Sequence, residues 1–174
     1  IARDSESGFY DGAVAERLIE AIRAGGGIMT RDDLRSYRPI IRAPVRGTYR
    51  GHDIVAMPPP SSGGIVLVEA LNILEGFPAG QVGARTAMSS HLLVEAMKHA
   101  YADRAFYLGD PAFIDTPMTR LLSKDYAAKL RAAIDPAKAR RAADIVPLIA
   151  VPREGDNTTH YSVVDADGNA VANT

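Results

Sequence analysis

No cysteine occurs among the 174 residues. Thiolate nucleophiles, disulfide staples and cysteine-based zinc sites are therefore excluded. An excess of either charge is also missing, since 20 Lys and Arg face 21 Asp and Glu for a formal net charge of −1. That balance leaves no broad field to hold nucleic acid or an anionic membrane surface. The one basic cluster, KARRAA at 138–143, is short and holds no aromatic residue. It suits a solvated helix end or loop better than a phosphate-tracking groove. No apolar run is long enough to cross a bilayer, and residues 1–20 lack the pattern of a secretory signal. The first residue is Ile1 rather than Met, and the chain is expected to be a piece of a longer or processed protein.

Hydrophobic residues make up 47% of the chain, enough for an ordinary core. Most of the sequence predicts helix. Over 11–23, Val14, Leu18, Ala21 and Ile22 fall on one stripe, and the glycines of AGGG end the helix. Thr30 with an acid three residues on is a capping-box variant that opens a short helix. Short strands and turns are predicted over 43–57, where Gly47 and Gly51 separate aromatic and β-branched residues. In MPPPSSGGIVLVEALNIL the three prolines predict an extended approach. Ser61 or Ser62 can cap there, and an apolar helix is expected over 64–75. Further helices are expected over 86–107 and 123–134, then a connector over 135–157 without clear periodicity. A β-hairpin follows, with a strand over 158–164, a turn at 165–169 and a return over 170–174. A lone two-stranded hairpin is marginal in water and needs a sheet to join.

Several motifs invite functional readings that spacing removes. His91, Glu95, His99 and Asp103 follow one another at four-residue intervals on a predicted helix. The two histidines are then about 12 Å apart along the axis, too far to share a metal ion, so the stripe is read as a polar helix face. DADGN at 165–169 resembles the start of a calcium loop, but its glycine comes too early, and a hairpin turn accounts for Gly168 and Asn169. SSGG ahead of a helix could seat an anion, yet it lacks the lysine of a phosphate loop; close packing of the helix start is expected instead.

NTTHYS, at 157–162, remains. Read locally, its threonines are good strand residues and His160 a packed histidine. A threonine freed as a chain end, however, carries a hydroxyl nucleophile and an α-amine base on one residue. That amine has an unperturbed pKa of about 8, close enough to neutral to take the hydroxyl proton. His160 would lie about 6.6 Å along a strand from Thr158, beyond proton-transfer reach, and is assigned packing or orientation. Thr159 would point to the opposite face and is read as structural.

Three long motifs, MPPPSSGGIVLVEALNILEGF (57–77), EAMKHAYADRAFYLGDPAF (95–113) and TTHYSVVDADGNAVANT (158–174), resemble the γ-glutamyltransferase family and occur in its order. FYDGAVAERLIEAIRAGGGIMTRDDLRSY with YRGHDIVAMPPPSSGG resembles the large-subunit pattern of the same family, and the likeness is weakest over 130–155. The resemblance implies an α+β fold, part of the αββα sandwich of N-terminal-nucleophile hydrolases, mostly helical with a C-terminal hairpin belonging to the central sheet. It implies a large-subunit segment over 1–157 and the first hairpin of the small subunit over 158–174, with self-cleavage between Asn157 and Thr158. Thr158 would then be the nucleophile, with its own α-amine as base, in γ-glutamyl transfer or hydrolysis through an acyl-enzyme. The implied partners are glutathione and other γ-glutamyl compounds, amino-acid or dipeptide acceptors, and the remainder of the enzyme's own subunits. No cofactor or metal is implied, and the implied location is periplasmic or secreted. Residues for the oxyanion hole and for gripping substrate are expected outside 1–174, which would leave this piece alone inactive. A related β-lactam acylase, a poly-γ-glutamate-processing enzyme and a non-catalytic scaffold are the alternatives. The hairpin edge, if uncovered, is expected to promote self-association.

Overall fold

Three helices among the described residues start where a side-chain oxygen accepts from the first free backbone N–H groups. The computed structural model describes residues 3–145 and 161–173. Within them the Thr30 hydroxyl accepts from the Asp33 N–H while the Asp33 carboxylate accepts from the Thr30 N–H at 2.7 Å, completing the expected capping box. Thr86 and Ser89 form a second reciprocal box, and the Ser123 hydroxyl accepts from the Tyr126 N–H. The chain divides into two units, Ile1–Arg42 and Ala43–Thr174.

The first unit holds α1 (Ser7–Tyr10), α2 (Ala13–Ala24) and α3 (Arg31–Ser36). Its core is Ala15, Ile19 and Leu34, with Tyr10 and Leu18 packed against it. The buried face of α2 is therefore rotated from the expected stripe, and Val14 is 50% exposed. The reason is size: Ala15 is fully buried, and its small side chain sits where neighbouring elements approach closely. Asp11 accepts from both Arg31 and Arg35, and Arg31 also pairs with Glu16. These pairs are exposed and position the short helices more than they stabilise them.

The second unit begins with an antiparallel hairpin of β1 (Val45–Tyr49) and β2 (His52–Ala56) in register Val45↔Ala56 to Tyr49↔His52. Arg50 and Gly51 both have positive φ, +50° and +83°, the signature of a two-residue type I′ turn. Helices α4 (Gly63–Glu75), α5 (Ala79–Val82), α6 (Ala87–Tyr107), α7 (Met118–Leu121) and α8 (Lys124–Ala132) follow, with a single 3₁₀ turn at Ala142–Asp144. A second antiparallel hairpin, β3 (Tyr161–Val164) with β4 (Ala170–Asn173), closes the described chain. Between β2 and α4 the expected extended approach gives way to a turn at Pro59 and Pro60, whose shared peptide is cis.

Helix α4 organises the core. One side packs Ile73 against Leu92, Ala96 and Ala127 of α6 and α8. The other packs Ile65 and Val68 against Val45 of β1 and Leu121 of α7. Gly47 lets β1 approach closely: a Cβ there would stand 2.5 Å from Val68 Cγ1. Polar ties complete the docking of the first hairpin. Glu75 accepts from the Arg50 N–H and from Lys124, and Lys124 also donates to the Thr48 carbonyl. Among the described residues the result is an α+β arrangement of helices and two separate two-stranded sheets.

Candidate active site

Asn157, Thr158, Thr159 and His160, the cleavage and nucleophile segment expected from sequence, lie outside the described residues. The hairpin that follows them is described from Tyr161 onward. Its turn is organised by one side chain: Asp165 Oδ1 accepts from the Asp167 and Asn169 N–H groups, and Oδ2 accepts from Asn169 Nδ2. The Asn169 side-chain bond foremost, then its backbone N–H, holds the Asp165 carboxyl below the usual range. Gly168 takes φ +83°. The carboxylate thus organises its own turn. Val163, Val164 and Val171 are 56%, 68% and 59% exposed. Consecutive strand residues face opposite ways, so both faces of this hairpin are apolar and open.

A polar cluster lies where α4, α6, α7 and α8 meet. Glu69 of α4 is 1% exposed, and neither carboxyl oxygen has a hydrogen-bond partner among the described residues. Burial pushes its pKa up to about 9, with the Asp103 carboxylate adding to the rise and Arg120 opposing it. Asp103 Oδ2 accepts from the Tyr126 hydroxyl at 2.7 Å. Burial, then that bond, raises Tyr126 to about 12. Arg120 lies between two rings, 4.9 Å from the Tyr107 centroid and 4.6 Å from that of Tyr126, and donates to both hydroxyls. The bonds to Tyr126 and Tyr107 raise its pKa further, so it stays charged at any working pH. A cavity of about 290 Å³ adjoins the cluster, lined in part by His99, Asp103, Arg120, Tyr126 and Arg140.

The polar stripe His91, Glu95, His99 and Asp103 is largely turned inward. Glu95 and His99 are buried at 1% and 6% exposure. Glu95 accepts from Lys98 at 2.5 Å and from the Arg140 N–H at 3.2 Å, and Lys98 donates to the Arg140 carbonyl. Burial alone would raise the Glu95 pKa, but the bonds to Lys98 and Arg140 with the nearby positive charges outweigh it and leave it lowered. His91 Nε2 donates to the Asp135 carbonyl at 2.8 Å. His99 Nε2 has no partner among the described residues, and burial, then the Arg140 charge, lowers its pKa and keeps the ring neutral. His91 and Glu95 therefore grip backbone at Asp135 and Arg140 instead of facing water. Meanwhile Leu93, Val94 and Tyr101 of the same helix are 45%, 54% and 50% exposed.

SSGG behaves as the close-packing reading expected. A Cβ on Gly64 would stand 2.2 Å from the Met57 carbonyl oxygen. Ser62 does not cap α4 with its side chain; its hydroxyl accepts from Arg104 Nε at 2.8 Å. Among the described residues no group of three or more potential ligands could hold a metal, and no helix is long and apolar enough to cross a membrane. Sequence reasoning missed Glu69, Arg120 and Tyr126. Glu69 had one visible signal, an acid in the middle of the apolar run IVLVEALNIL.

Comparison with known proteins extends beyond the described residues. A family model described as gamma-glutamyltranspeptidase matches residues 1–174. A glutathione hydrolase proenzyme of Pseudomonas sp. (strain A14) is 52% identical over 172 residues, covering 99% of this chain and 30% of that protein. An Acylase ACY 1 proenzyme of Pseudomonas sp. (strain SE83) is 40% identical over 174 residues, covering 100% of this chain and 30% of that protein. Among solved structures, the gamma-glutamyltranspeptidase of Helicobacter pylori superposes with a TM-score of 0.76 at 40% identity, over 87% of this chain and 44% of its own. The chain thus spans about 30% of the length of the curated relatives it matches.

Proposed function

The chain belongs to the gamma-glutamyltranspeptidase family, and on that premise we propose that the protein containing it transfers or hydrolyses γ-glutamyl groups through a threonyl ester on Thr158. The observation that carries this reading is the extent of the match: the family model spans residues 1–174, NTTHYS within them, and a glutathione hydrolase proenzyme is 52% identical over 172 residues. The word proenzyme in that relative's name supports maturation by cleavage. The cut falls between Asn157 and Thr158, separating a large-subunit segment, 1–157, from the start of a small subunit at 158.

The chemistry follows from one residue. In the precursor the Thr158 hydroxyl attacks the Asn157 carbonyl, its proton passes to the departing nitrogen, and water resolves the ester. Cleavage frees the Thr158 α-amine. That amine takes the hydroxyl proton as the oxygen attacks the γ-carbonyl of a donor such as glutathione, and the donor's amine leaves with a proton. An amino acid, a dipeptide or water then attacks the ester and regenerates the hydroxyl. The two apolar faces of the β3–β4 hairpin suit strands covered on both sides, which supports its place in the central sheet of an αββα sandwich. An uncovered strand edge of this hairpin favours self-association of the isolated chain. A periplasmic or secreted location completes the proposal.

The test uses the full-length protein and its Thr158→Ala variant. Intact mass should show two chains divided at Thr158 in the first and one uncut chain in the second. Hydrolysis of a γ-glutamyl anilide should fall by about 10⁴ or more in the variant. An uncut yet fully active protein would overturn the assignment. The likeness to an acylase proenzyme favours one second reading, removal of an acyl side chain from a β-lactam by the same Thr158. Turnover of such a substrate without turnover of the γ-glutamyl anilide would decide for it.

A further inference from the structure

The cavity of about 290 Å³ beside α6, α7 and α8 is lined by more hydrogen-bond donors than acceptors. Arg120 uses one nitrogen, Nη2, for the hydroxyls of both Tyr107 and Tyr126, which leaves Nε and Nη1 to give. Tyr107 accepts that bond, so its own hydroxyl hydrogen is also left to give. Arg140 donates through Nη2 to the Asp144 carbonyl and keeps the rest of its guanidinium fork. His99 is 6% exposed, and its Nε2 has no partner among the described residues. Against these donors stands one carboxylate, Asp103, whose Oδ2 already accepts from the Tyr126 hydroxyl. Two guanidiniums and one carboxylate leave the lining net positive. We propose that this cavity binds a small organic monocarboxylate, its charged end on Arg120, Arg140 and Tyr107 and its hydrocarbon part on the apolar wall.

The class of ligand follows from the lining. A carboxylate accepts only, through two oxygens, which matches both the surplus of donors and the planar forks of two arginines. Phosphate would suit the donors but not the apolar wall, to which Phe106, Leu130 and Ile145 contribute. A cation would meet two guanidiniums, and a plain hydrocarbon would leave the donors unpaired. The volume lies just below the range of about 300–1,000 Å³ usual for drug-sized ligands, so the molecule is small. Arg120 is set in place beforehand, its guanidinium 4.9 Å from the Tyr107 ring centroid and 4.6 Å from that of Tyr126. Little side-chain freedom is then lost there on binding. Asp103 is linked to Arg120 through the Tyr126 hydroxyl, so its charge is answered within the lining. This assignment does not rest on Thr158 chemistry.

The experiment titrates the full-length protein with 4-methylpentanoate by isothermal calorimetry, with 4-methylpentanamide as the uncharged comparison. The acid should bind saturably. The amide, which keeps the hydrocarbon but loses the charge-assisted bonds, should bind about tenfold more weakly or worse. Arg140 is exposed, so Arg140→Gln should fold, and it should weaken binding of the acid about tenfold. Tyr107→Phe removes only the free hydroxyl and should weaken the acid about threefold. Asp103→Asn should tighten the acid, because the one opposing charge is gone. Weaker binding there would mark a cationic or zwitterionic ligand and overturn the assignment. So would the absence of saturable binding, equal binding of acid and amide, or wild-type affinity in both Arg140→Gln and Tyr107→Phe. Hydrolysis of a γ-glutamyl anilide is not among these readouts, so failure of this site and failure of the Thr158 reading show separately.

Discussion

The described residues hold two antiparallel hairpins of nearly equal length, and they have opposite fates. In β1–β2, Val45 is 2% exposed against Ile65, Val68 and Leu121, and Glu75 and Lys124 hold the turn. In β3–β4, Val163, Val164 and Val171 are all more than half exposed, although the turn is fully hydrogen-bonded through Asp165. Local turn chemistry is thus enough to shape a hairpin. Whether that hairpin is stable depends on what covers its apolar face.

Substitutions can break this contrast. The largest effect is expected at the joint between β2 and α4. In Gly64→Ala the new Cβ meets the backbone oxygen of Met57 at 2.2 Å. No rotamer relieves that contact, so denaturant unfolding should show a loss of about 3 kcal/mol. Val45→Ala, which removes two buried methyl groups from the first hairpin, should cost about 2 kcal/mol. Gly168→Ala forces a side chain into φ +83° in the second hairpin's turn and should cost that hairpin about 1 kcal/mol, seen as faster amide exchange at Val164 and Val171. The smallest effect is Val163→Ala in the 174-residue chain, within about 0.5 kcal/mol because the side chain is exposed there. In the full-length protein the same change should cost about 2 kcal/mol if the face becomes covered. Equal effects in both would refute a covered hairpin.

Much of this was legible in the chain. Thr30, Thr86 and Ser123 mark helix starts because a capping oxygen acts within a few residues. Gly51 and Gly168 mark turns because positive φ is a single-residue property. The close packing at Gly64 could be read from SSGG for a related reason, since only a residue without Cβ fits such an approach. The family was legible in the long ordered motifs, and comparison bore it out over 1–174.

The polar residues were a different matter. Glu95 and His99 have the spacing of a solvated helix face, yet they are buried, while Leu93 and Val94 beside them are exposed. Ser62 has the right position to cap α4, yet it serves Arg104. Glu69, Asp103, Arg120 and Tyr126 come from four helices spread over more than fifty residues, with no local pattern joining them. By itself the sequence determined where helices begin, where the chain turns and which family it joins, because those follow from contacts a few residues apart or from motifs read in order. Only the tertiary structure decided which face of α2 and α6 is inside, which hairpin is covered and which carboxyl groups are buried. Burial depends on neighbours brought together by packing, and a carboxyl group's charge follows the water it keeps and the charges it meets.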